Sequence, residues 1–459
     1  MYKINFEHPV HVHFIGIGGI SMSGLAEVLL KENFTISGSD NKESALTNHL
    51  ENAGATIFYG QKASNIIDGI DVVVYTAAIH EDNEEYQAAV AKGLPMLSRA
   101  ELLGQLMTNY DVPIAVAGTH GKTTTTSMLS QILLAGDLDP TISVGGILKA
   151  IGGNIHVGNS EIFVTEACEY TNSFLKFFPK IGVILNIDED HLDFFKDLAD
   201  IRNSFRKFAE LLPEDGTLII NGEIENLDEI TKGLACRVVT YGNDSSYDYS
   251  ATNILHNQKG QASFDYVKNG MFVSRVQLAV NGNHNVSNAL AALAVSDILE
   301  MPVAVAQEGL KGFEGTKRRF EYKGEFNGVN VIDDYAHHPT EIKAALTSAR
   351  HYPHKELWCI FQPHTYTRTK AFLDGFAEAL SSYDHVILAD IYAAREKDPG
   401  DIHSKDILSK LLEKGCDAYY LSTFAEIEEF ILKNLKKDDL LITMGAGDVV
   451  NIGENLLSR

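Results

Sequence analysis

Short apolar runs alternate with longer helical patterns along most of the chain. Glycine, asparagine and aspartate turns bound many of these runs, which is typical of buried strands in a mainly parallel sheet. The predicted strands lie at 10–15, 34–38, 55–58, 71–76, 114–117, 161–166, 180–187, 217–221, 237–242, 329–333, 356–361, 385–390 and 440–444. Between 249 and 280, alternation around glycine and asparagine turns predicts antiparallel strands added to the main sheet. The whole pattern predicts an α/β fold.

Two polar segments divide this pattern into three parts. A length of 459 residues corresponds to about three domains. The divisions lie at 108–111 and at 314–321, where a basic cluster is either a solvated linker or brings arginine to a phosphate. We predict a Rossmann-like domain at 1–108, a central phosphate-binding domain with a mostly parallel sheet at 109–313, and a second Rossmann-like α/β domain at 314–459.

Composition and charge exclude several classes of function. Hydrophobic residues make up 45% and charged residues 22%, as in ordinary globular proteins. The formal net charge of -24 argues against sequence-independent binding to nucleic acid. The four scattered cysteines form no Cys-x-x-Cys pair and are typical of reduced thiols. Without a signal-peptide pattern or an apolar run that spans a bilayer, we expect a cytoplasmic protein with no membrane insertion.

A glycine-bracketed turn follows one of the buried strands and leads into a helix predicted at 127–134. Backbone N–H groups at such a turn bind phosphates, together with the helix N-terminus. Lys122 supplies a cation for the outer phosphates, and the Thr123 hydroxyl is placed to bind Mg²⁺. The common eight-position pattern has a glycine where this chain has Val116. The alternative is a glycine-rich turn that binds nothing.

A second glycine turn follows the first predicted strand and contains Gly16, Gly18 and Gly19. Asp40 follows the next strand, where an acidic residue can bond a ribose hydroxyl. The dinucleotide fingerprint lacks its third glycine, because Ser21 stands there. Three interpretations stay open: a nicotinamide cofactor, a uridine or other nucleotide diphosphate, and a tight turn that only packs helix on strand.

Polar residues at the carboxyl ends of several predicted strands are candidates for ligand contacts, because strand ends line the crevice of such sheets. Thr76 ends one strand of the first domain. Arg99, at a helix start, either meets a phosphate or is solvated. Glu166 and His191 follow strands of the central domain and are metal candidates. A carboxylate suits Mg²⁺, whereas an imidazole is an unusual partner, so a structural histidine is the alternative.

Three further segments are dense in polar groups. Glu169 and the acidic run at 188–190 are interpreted equally well as a solvated loop. His284, Asn285 and Asn288 cluster at the start of an alanine-rich helix, and capping explains one asparagine but not all three groups. Two acids, a tyrosine and two histidines occupy six positions at 333–338, which is more functional-group density than a packing turn needs.

Together these motifs resemble the Mur ligase family. They occur in order from Gly16 to Asp448: Gly-Thr-His-Gly-Lys-Thr, a strand-end Glu166, His191 after Asn-Ile-Asp-Glu-Asp, Gly-Asn-His-Asn-Val-Ser-Asn-Ala, and Arg-Arg-Phe before Asp-Asp-Tyr-Ala-His-His-Pro-Thr-Glu. The first glycine turn and the Gly-Ser-Asp that ends at Asp40 resemble the alanine-adding members and their peptide-recycling relatives.

The resemblance implies an ATP-dependent ligase of peptidoglycan precursor synthesis. Such an enzyme joins L-alanine to the carboxylate of UDP-N-acetylmuramate through an acyl phosphate and releases ADP and phosphate, with ATP and two Mg²⁺ ions. The three predicted domains would bind the UDP-sugar, ATP and the amino acid in that order. The sequence gives no indication of the oligomeric state.

The resemblance also implies roles for individual residues. The implied ATP-binding residues are Gly118, Thr119, His120, Gly121, Lys122, Thr123, Thr124, Asn285, Asn288, Arg319 and Asp334. The implied UDP-sugar-binding residues are Gly16, Gly18, Gly19, Ser21, Met22, Ser23, Asp40, Thr76 and Arg99. The implied metal ligands are Thr123, Glu166 and His191. The implied amino-acid pocket consists of Tyr335, His337, His364 and Arg368. The catalytic set would be Lys122, Glu166, His191 and His337, with His337 as the base for the amine.

Two positions depart from the family pattern. Thr365 stands where many relatives have arginine, so Arg368 is the remaining anchor for the amino-acid carboxylate. Lys207 is the lysine nearest to the position that is carbamylated in other members, and we predict that it lacks that role. Three alternatives remain: a recycling ligase that adds a tripeptide to the same sugar nucleotide, a nicotinamide-dependent oxidoreductase that uses the Gly16 turn, and a non-catalytic nucleotide-binding protein.

Overall fold

The computed structural model describes residues 2–76, 78–257, 260–394 and 396–459. Three sheets follow one another along the chain, with five, ten and six strands. Most neighbouring strands are parallel, and helices connect them, so the predicted α/β fold is confirmed. In the described part of the chain, no helix is long and apolar enough to cross a membrane.

The first sheet is entirely parallel, with the strand order β3-β2-β1-β4-β5. Its strands are β1 (His11–Ile15), β2 (Thr35–Asp40), β3 (Thr56–Tyr59), β4 (Val72–Tyr75) and β5 (Met96–Ser98). Its helices are α1 (Ile20–Lys31), α2 (Ala45–Asn52), α3 (Glu84–Ala91) and α4 (Arg99–Met107). The chain leaves β1 to one side and returns at β4 on the other, so the carboxyl ends of these two strands form the switch point where such sheets bind ligands.

The second sheet is mixed, with the order β15-β14-β13-β12-β11-β10-β6-β9-β7-β8. Its strands are β6 (Val112–Ala117), β7 (Thr141–Leu148), β8 (Gly153–His156), β9 (Ile162–Ala167), β10 (Ile181–Ile184), β11 (Thr217–Asn221), β12 (Arg237–Gly242), β13 (Tyr249–His256), β14 (Gln261–Lys268) and β15 (Met271–Asn281). Its helices are α5 (Lys122–Ala135), α6 (Leu198–Ala209), α7 (Asp228–Thr231), α8 (Asn283–Ile298) and α9 (Val303–Gly312). The predicted antiparallel addition is confirmed by β13, β14 and β15.

The third sheet has the order β16-β17-β21-β18-β19-β20, and only its edge strand β16 is antiparallel. Its strands are β16 (Glu321–Phe326), β17 (Val329–Asp334), β18 (Leu357–Phe361), β19 (His385–Leu388), β20 (Asp417–Tyr420) and β21 (Leu440–Met444). Its helices are α10 (Pro339–Ala349), α11 (Tyr366–Ala371), α12 (Leu373–Leu380), α13 (Ser404–Glu413), α14 (Phe424–Asn434) and α15 (Val450–Leu457).

The sequence prediction was wrong at one helix boundary that matters for the site. The helix after the central glycine turn begins at Lys122, five residues before the predicted start. A run of threonines has low intrinsic helix propensity, which favoured the later start. In the fold, Thr125 and Thr126 are buried, and packing of the helix outweighs their propensity.

One hydrophobic core continues from the first sheet into the second, whereas the third sheet has cores of its own. Leu103 and Leu106 of α4 belong to the same cluster as Phe174 and Phe205 of the central part. Gly104 allows this close approach, because a Cβ atom there would lie 1.9 Å from the carbonyl oxygen of Lys176. The first two parts therefore pack as one body, and the third meets the second mainly through polar contacts.

We expect Gly104→Ala to lower the free energy of unfolding by about 1–3 kcal/mol, because the added methyl group overpacks this contact. Gly312→Ala, in the last turn of α9, is the matched control, since its nearest neighbour would be Gln131 Nε2 at 3.6 Å. Urea unfolding of both variants measures the difference. Equal stability of the two variants would contradict the assigned contact.

Candidate functional site

The central glycine turn lies between β6 and α5 and is stabilised by the segment after β10. The N–H of His120 donates to Asn186 Oδ1 at 2.8 Å, and the Asn186 side-chain amide donates to the His120 carbonyl at 3.0 Å. Gly121 has φ of +84°, and a Cβ there would lie 2.6 Å from Asn288 Oδ1. Val116 is fully buried in β6, in register with Glu166 and Val183, so the loop begins only at Gly118. Position 116 is part of the strand and not of the loop, so a glycine is not needed there.

Lys122 is the first residue of α5, and its ammonium lies against the preceding glycine turn. It donates to the carbonyls of Gly118 and Thr119 and to Glu169 Oε2, the last at 2.9 Å. Burial would lower the pKa of Lys122, but Glu169 together with Cys168 and Glu166 outweighs burial and raises the pKa. The cation therefore lies against the loop that the sequence assigns to phosphates.

Glu169 shows that one sequence interpretation was wrong. A solvated loop was an equal alternative for this residue, yet Glu169 is only 2% exposed and pairs with the loop lysine. Sequence analysis assigned it no function. The available signal was its position three residues after Glu166, at the end of the same strand.

Thr123 and Glu166 form an oxygen-rich pair beside the loop. The Thr123 hydroxyl donates to Glu166 Oε2 at 3.0 Å, and the N–H of Gly145 donates to the other carboxylate oxygen. Burial raises the pKa of Glu166, which reflects the cost of a buried carboxylate. A hydroxyl and a buried carboxylate are hard oxygen ligands, so this pair fits Mg²⁺.

His191 lies in the left-handed region, with φ of +54°, in the loop after β10. Its Nε2 lies 3.9 Å from Glu169 Oε1 and 3.7 Å from Asp190 Oδ2, and its ring packs on Tyr170. Burial lowers the pKa of His191, so the imidazole is neutral near pH 7 and its nitrogen is available to a metal. The donors suit a cation between Glu169 and His191.

Asp190 and Arg368 connect the central part of the chain with the third sheet. Arg368 Nη2 donates to Asp190 Oδ1 at 3.0 Å, and both side chains are about nine-tenths buried. Burial would raise the pKa of Asp190, but Arg368 together with His191 and His337 outweighs burial and lowers the pKa. Asp190 belongs to the acidic run that a solvated loop would also explain, and its 7% exposure makes that interpretation wrong.

His120 makes a second connection between the same two parts. Its Nε2 lies 3.2 Å from Asp188 Oδ2, and its Nδ1 lies 3.3 Å from Glu341 Oε1 of α10. Burial would lower the pKa of His120, but hydrogen bonds to Asp188 and Glu341 raise it to about 9. Possible ligand atoms of His120, Asp188 and His338 lie within 4.8 Å of one another. Since His120 holds its proton, we interpret the group as a hydrogen-bonded latch rather than a metal site.

This latch predicts a pH dependence of stability. A histidine has a pKa near 6.5 when unfolded, and His120 has about 9 when folded. The stabilisation is complete below about pH 6.5 and is lost as the pH rises through about 9; it is on the order of 3 kcal/mol. We expect His120→Gln to flatten the decline of the unfolding midpoint between pH 6.5 and 9. The exposed His49→Gln is the control, and identical pH profiles for wild type and His120→Gln would exclude the latch.

A cavity of about 710 Å³ opens beside the loop, between the second and third sheets. Its lining includes His120, Gly121, Thr124, Asn285, Asn288, Arg319 and Asp334, all of them predicted ATP-binding residues. Asn288 donates to Asn285 Oδ1 at 2.9 Å, so the two asparagines form one polar face of α8. Burial raises the pKa of Asp334 to about 7, and Arg319 opposes this rise. The structure thus brings seven of the eleven predicted ATP-binding residues, from both parts, to one cavity, whereas Gly118, Thr119, Lys122 and Thr123 are outside its lining.

A second cavity, of about 400 Å³, is lined by residues of the central part and of the third part of the chain. The four predicted amino-acid residues line it, namely Tyr335, His337, His364 and Arg368, together with His191. The Nδ1 atom of His337 lies 2.9 Å from the carbonyl oxygen of Tyr335. A carbonyl only accepts, so a neutral His337 donates from Nδ1 and leaves Nε2 as an acceptor. Burial lowers the pKa of His337 to about 4.

The first glycine turn is fixed by the end of β2. The N–H groups of Gly16 and Ile17 both donate to the carbonyl of Ser39 at 2.9 Å. Asp40 Oδ2 accepts from the N–H of Gly18 at 2.9 Å, and its Oδ1 accepts from Asn41. Asp40 therefore orders the turn itself, besides any contact with a ribose.

The remaining predicted UDP-sugar residues surround this turn. Thr76 lies over Gly16, where a Cβ would be 2.8 Å from Thr76 Cγ2. The early turns of α1 contain Ser21, Met22 and Ser23, the last two buried. Arg99, at the start of α4, donates to Ser21 Oγ at 3.2 Å. Burial lowers the pKa of Arg99, so the guanidinium is held in a desolvated place next to the turn, which disfavours the solvated interpretation.

These features define a class: nucleotide-binding α/β proteins with three sheets, in which a phosphate loop of the central sheet meets polar groups of the third. Three family models match consecutive parts of the chain. They are described as the Mur ligase family catalytic domain at residues 11–111, the Mur ligase middle domain at 116–296, and the Mur ligase glutamate ligase domain at 318–447.

Individual relatives agree with this class. The UDP-N-acetylmuramate–L-alanine ligase of Agathobacter rectalis is 61% identical over 459 residues, which is 100% of both chains. The UDP-N-acetylmuramate-alanine ligase structure from Thermotoga maritima matches with a TM-score of 0.81 at 30% identity, over 98% of this chain and 99% of that one. A murein peptide ligase from Psychrobacter arcticus matches with a TM-score of 0.71 at 27% identity, over 98% of both. The chain belongs to the Mur ligase family.

Proposed function

We propose that this chain is an ATP-dependent ligase that joins L-alanine to the carboxylate of UDP-N-acetylmuramate in the cytoplasm, for peptidoglycan precursor synthesis. One observation carries the proposal. The loop lysine, the Glu166–Thr123 pair and the Arg368 cavity all meet where Asp190 and His120 connect the second and third parts of the chain. The identity to named L-alanine ligases supports the choice of acceptor.

The three sheets correspond to three domains, for which we propose the limits 1–108, 109–313 and 314–459. The Gly16 turn with Arg99 binds the UDP-sugar, because a desolvated guanidinium beside the N-terminus of α1 suits a diphosphate. ATP occupies the 710 Å³ cavity, with its phosphates on the loop and Asn285, Asn288, Arg319 and Asp334 around the rest. The amino acid occupies the 400 Å³ cavity.

Two Mg²⁺ sites fit the donors of this chain. Thr123 and Glu166 would hold one ion, and His191 would hold the other with Glu166 or the neighbouring Glu169. A bound Mg²⁺ neutralises phosphate charge during transfer. Lys122 must exchange its pairing with Glu169 for the outer phosphates when ATP binds, and its charge then stabilises the transfer.

The reaction takes two steps. The sugar carboxylate attacks the γ-phosphorus of ATP, so ADP leaves and an acyl phosphate forms. The alanine amine then attacks the acyl carbon, and the tetrahedral intermediate collapses to the amide and inorganic phosphate. Water would hydrolyse the acyl phosphate, so contacts that close the third part over the second, such as Asp190 with Arg368, protect it.

His337 is the proposed base for the amine. Its Nε2 is an acceptor in a neutral ring that lines the amino-acid cavity. With a pKa of about 4 it is a weak base in the substrate-free protein. Arg368 contributes to that low value, so an amino-acid carboxylate on Arg368 would raise the pKa of His337 toward the useful range.

Phosphate release from ATP tests the function. We expect release only when UDP-N-acetylmuramate and L-alanine are both present with Mg²⁺. Turnover with a tripeptide acceptor alone would replace this proposal with the recycling ligase. Binding of a nicotinamide dinucleotide without phosphate release would favour the oxidoreductase, and ATP binding without any turnover would leave a nucleotide-binding protein.

A further inference from the structure

A third cavity, of about 560 Å³, adjoins the amino-acid cavity on its outer side. Thr367, Ala371 and Glu396 line both cavities and so form the wall between them. The outer cavity also contains Lys397 and Lys370, the latter paired with Asp401. The amino-acid cavity is thus one of two neighbouring spaces, and the wall decides whether an acceptor can extend from one into the other.

Glu396 closes this wall by a specific contact. Its Oε2 accepts from the N–H of Thr367, at the start of α11, at 3.0 Å. Its own N–H donates to the carbonyl of Ala393 at 2.9 Å. The side chain is half-buried between a helix and a loop.

The loop that carries Glu396 is also held at Tyr392. The N–H of Tyr392 donates to Pro363 and its carbonyl accepts from Thr365, at 2.8 and 2.9 Å. Its ring lies parallel to that of His364, with centroids 5.8 Å apart. Thr365 has φ of +65°, which is strained for a β-branched residue and is maintained by these contacts. These contacts fix the position of the wall next to the residues of the amino-acid cavity.

Charge adds to the barrier. The described lining of the amino-acid cavity includes three carboxylates, Asp190, Asp193 and Glu396, and one guanidinium, that of Arg368. Arg368 is suited to one acceptor carboxylate, and further carboxylates would meet acidic groups, which is unfavourable. One structural relative is named for a tripeptide acceptor, L-alanyl-γ-D-glutamyl-meso-diaminopimelate, which carries several carboxylates.

We propose that Glu396 is a specificity-determining residue that restricts the acceptor to a single small amino acid. It separates the amino-acid cavity from the outer one and repels acceptors with additional negative charge. Without it the two spaces join, and the tail of a longer acceptor can reach the side of Lys370 and Lys397. The inference rests on the proposed function, since it concerns the acceptor of that reaction.

Two variants separate the steric effect of the Glu396 side chain from the effect of its charge. Glu396→Ala removes both the side chain that Glu396 contributes to the wall and its carboxylate. Glu396→Gln removes only the charge, because its amide oxygen can still accept from Thr367. Glu429→Ala, an exposed residue of α14 paired with Lys433, is the matched control.

The measurement is kcat/KM for L-alanine, L-alanyl-glycine and L-alanyl-γ-D-glutamate, with phosphate release as the readout. For Glu396→Ala we expect the ratio of each dipeptide to alanine to rise at least about tenfold. For Glu396→Gln we expect a rise of about threefold or more for the glutamyl dipeptide alone, and this rise should shrink at high salt. The control should keep the wild-type ratios.

Unchanged ratios in both folded variants would overturn the proposal. If Glu396→Ala does not fold, the isosteric Glu396→Gln decides, and unchanged discrimination against the glutamyl dipeptide contradicts the role of Glu396. Failure of the proposed function gives a different result from failure of the role of Glu396, since wild-type protein would then release no phosphate with L-alanine.

Discussion

Lys122→Met is expected to lower kcat by about 10²–10³-fold, since removal of one preorganised charge-stabilising group has a cost of this size. Lys122 is the cation of the loop, and its ammonium lies on the carbonyls of Gly118 and Thr119. Methionine keeps the length of the side chain and removes the charge. The measurement is steady-state phosphate release at saturating UDP-N-acetylmuramate, ATP and L-alanine.

The control for this variant is Lys433→Met, because Lys433 is exposed on α14 and pairs only at the surface with Glu429. We expect it to keep wild-type activity. Methionine at position 122 also leaves Glu169 buried without its cation, so the unfolding midpoint must be measured alongside. A stable Lys122→Met protein with near wild-type kcat would refute the assignment of the loop.

Arg368→Met is expected to lower kcat/KM for L-alanine by roughly 10²–10³-fold, because loss of the buried partner of the substrate carboxylate costs about 3–4 kcal/mol of binding. In the substrate-free protein Arg368 pairs with Asp190, and it is the proposed anchor for the amino-acid carboxylate. The effect should fall on L-alanine, with the KM for ATP changed much less. Steady-state kinetics in which each substrate is varied in turn measure the effect on L-alanine separately from the effect on ATP.

Arg202→Met is the control for Arg368, since Arg202 of α6 pairs with Glu225, whose side chain is exposed. Surface pairs of this kind contribute about 0–1 kcal/mol, so we expect near wild-type kinetics. Equal loss of kcat/KM for ATP and for L-alanine in Arg368→Met would show that Arg368 connects the domains without binding the amino acid.

The sequence predicted those parts of the fold that depend on local pattern. Buried parallel strands are nearly all apolar, so β1, β4, β6 and β10 were evident, as were the glycine turns that follow β1 and β6. Strands β5, β7, β8, β16 and β20 were missed. They lie at or next to sheet edges, where one side of the strand is exposed, and β8 reads Gly-Asn-Ile-His without an apolar run. Their pairing is determined by neighbours distant in sequence.

For the site too, local motifs were predictable from the sequence, whereas contacts between distant residues were not. Residues within motifs, such as Asn288, Arg319 and Arg368, were identified one by one, and they line the two cavities of the site. Their partners were not predictable, because Glu169 to Lys122 and Asp190 to Arg368 are pairings of tertiary structure. Glu169 and Asp190 have the composition of a solvated acidic loop, and only their burial distinguishes them from one.

The central claim is that ATP activates the sugar carboxylate before the amine attacks. Oxygen-18 in the carboxylate of UDP-N-acetylmuramate tests it directly. Turnover with L-alanine should transfer one labelled oxygen from the carboxylate to the released phosphate, which mass spectrometry detects, because the acyl C–O bond breaks in the second step. Unlabelled phosphate accompanied by amide product would contradict the account.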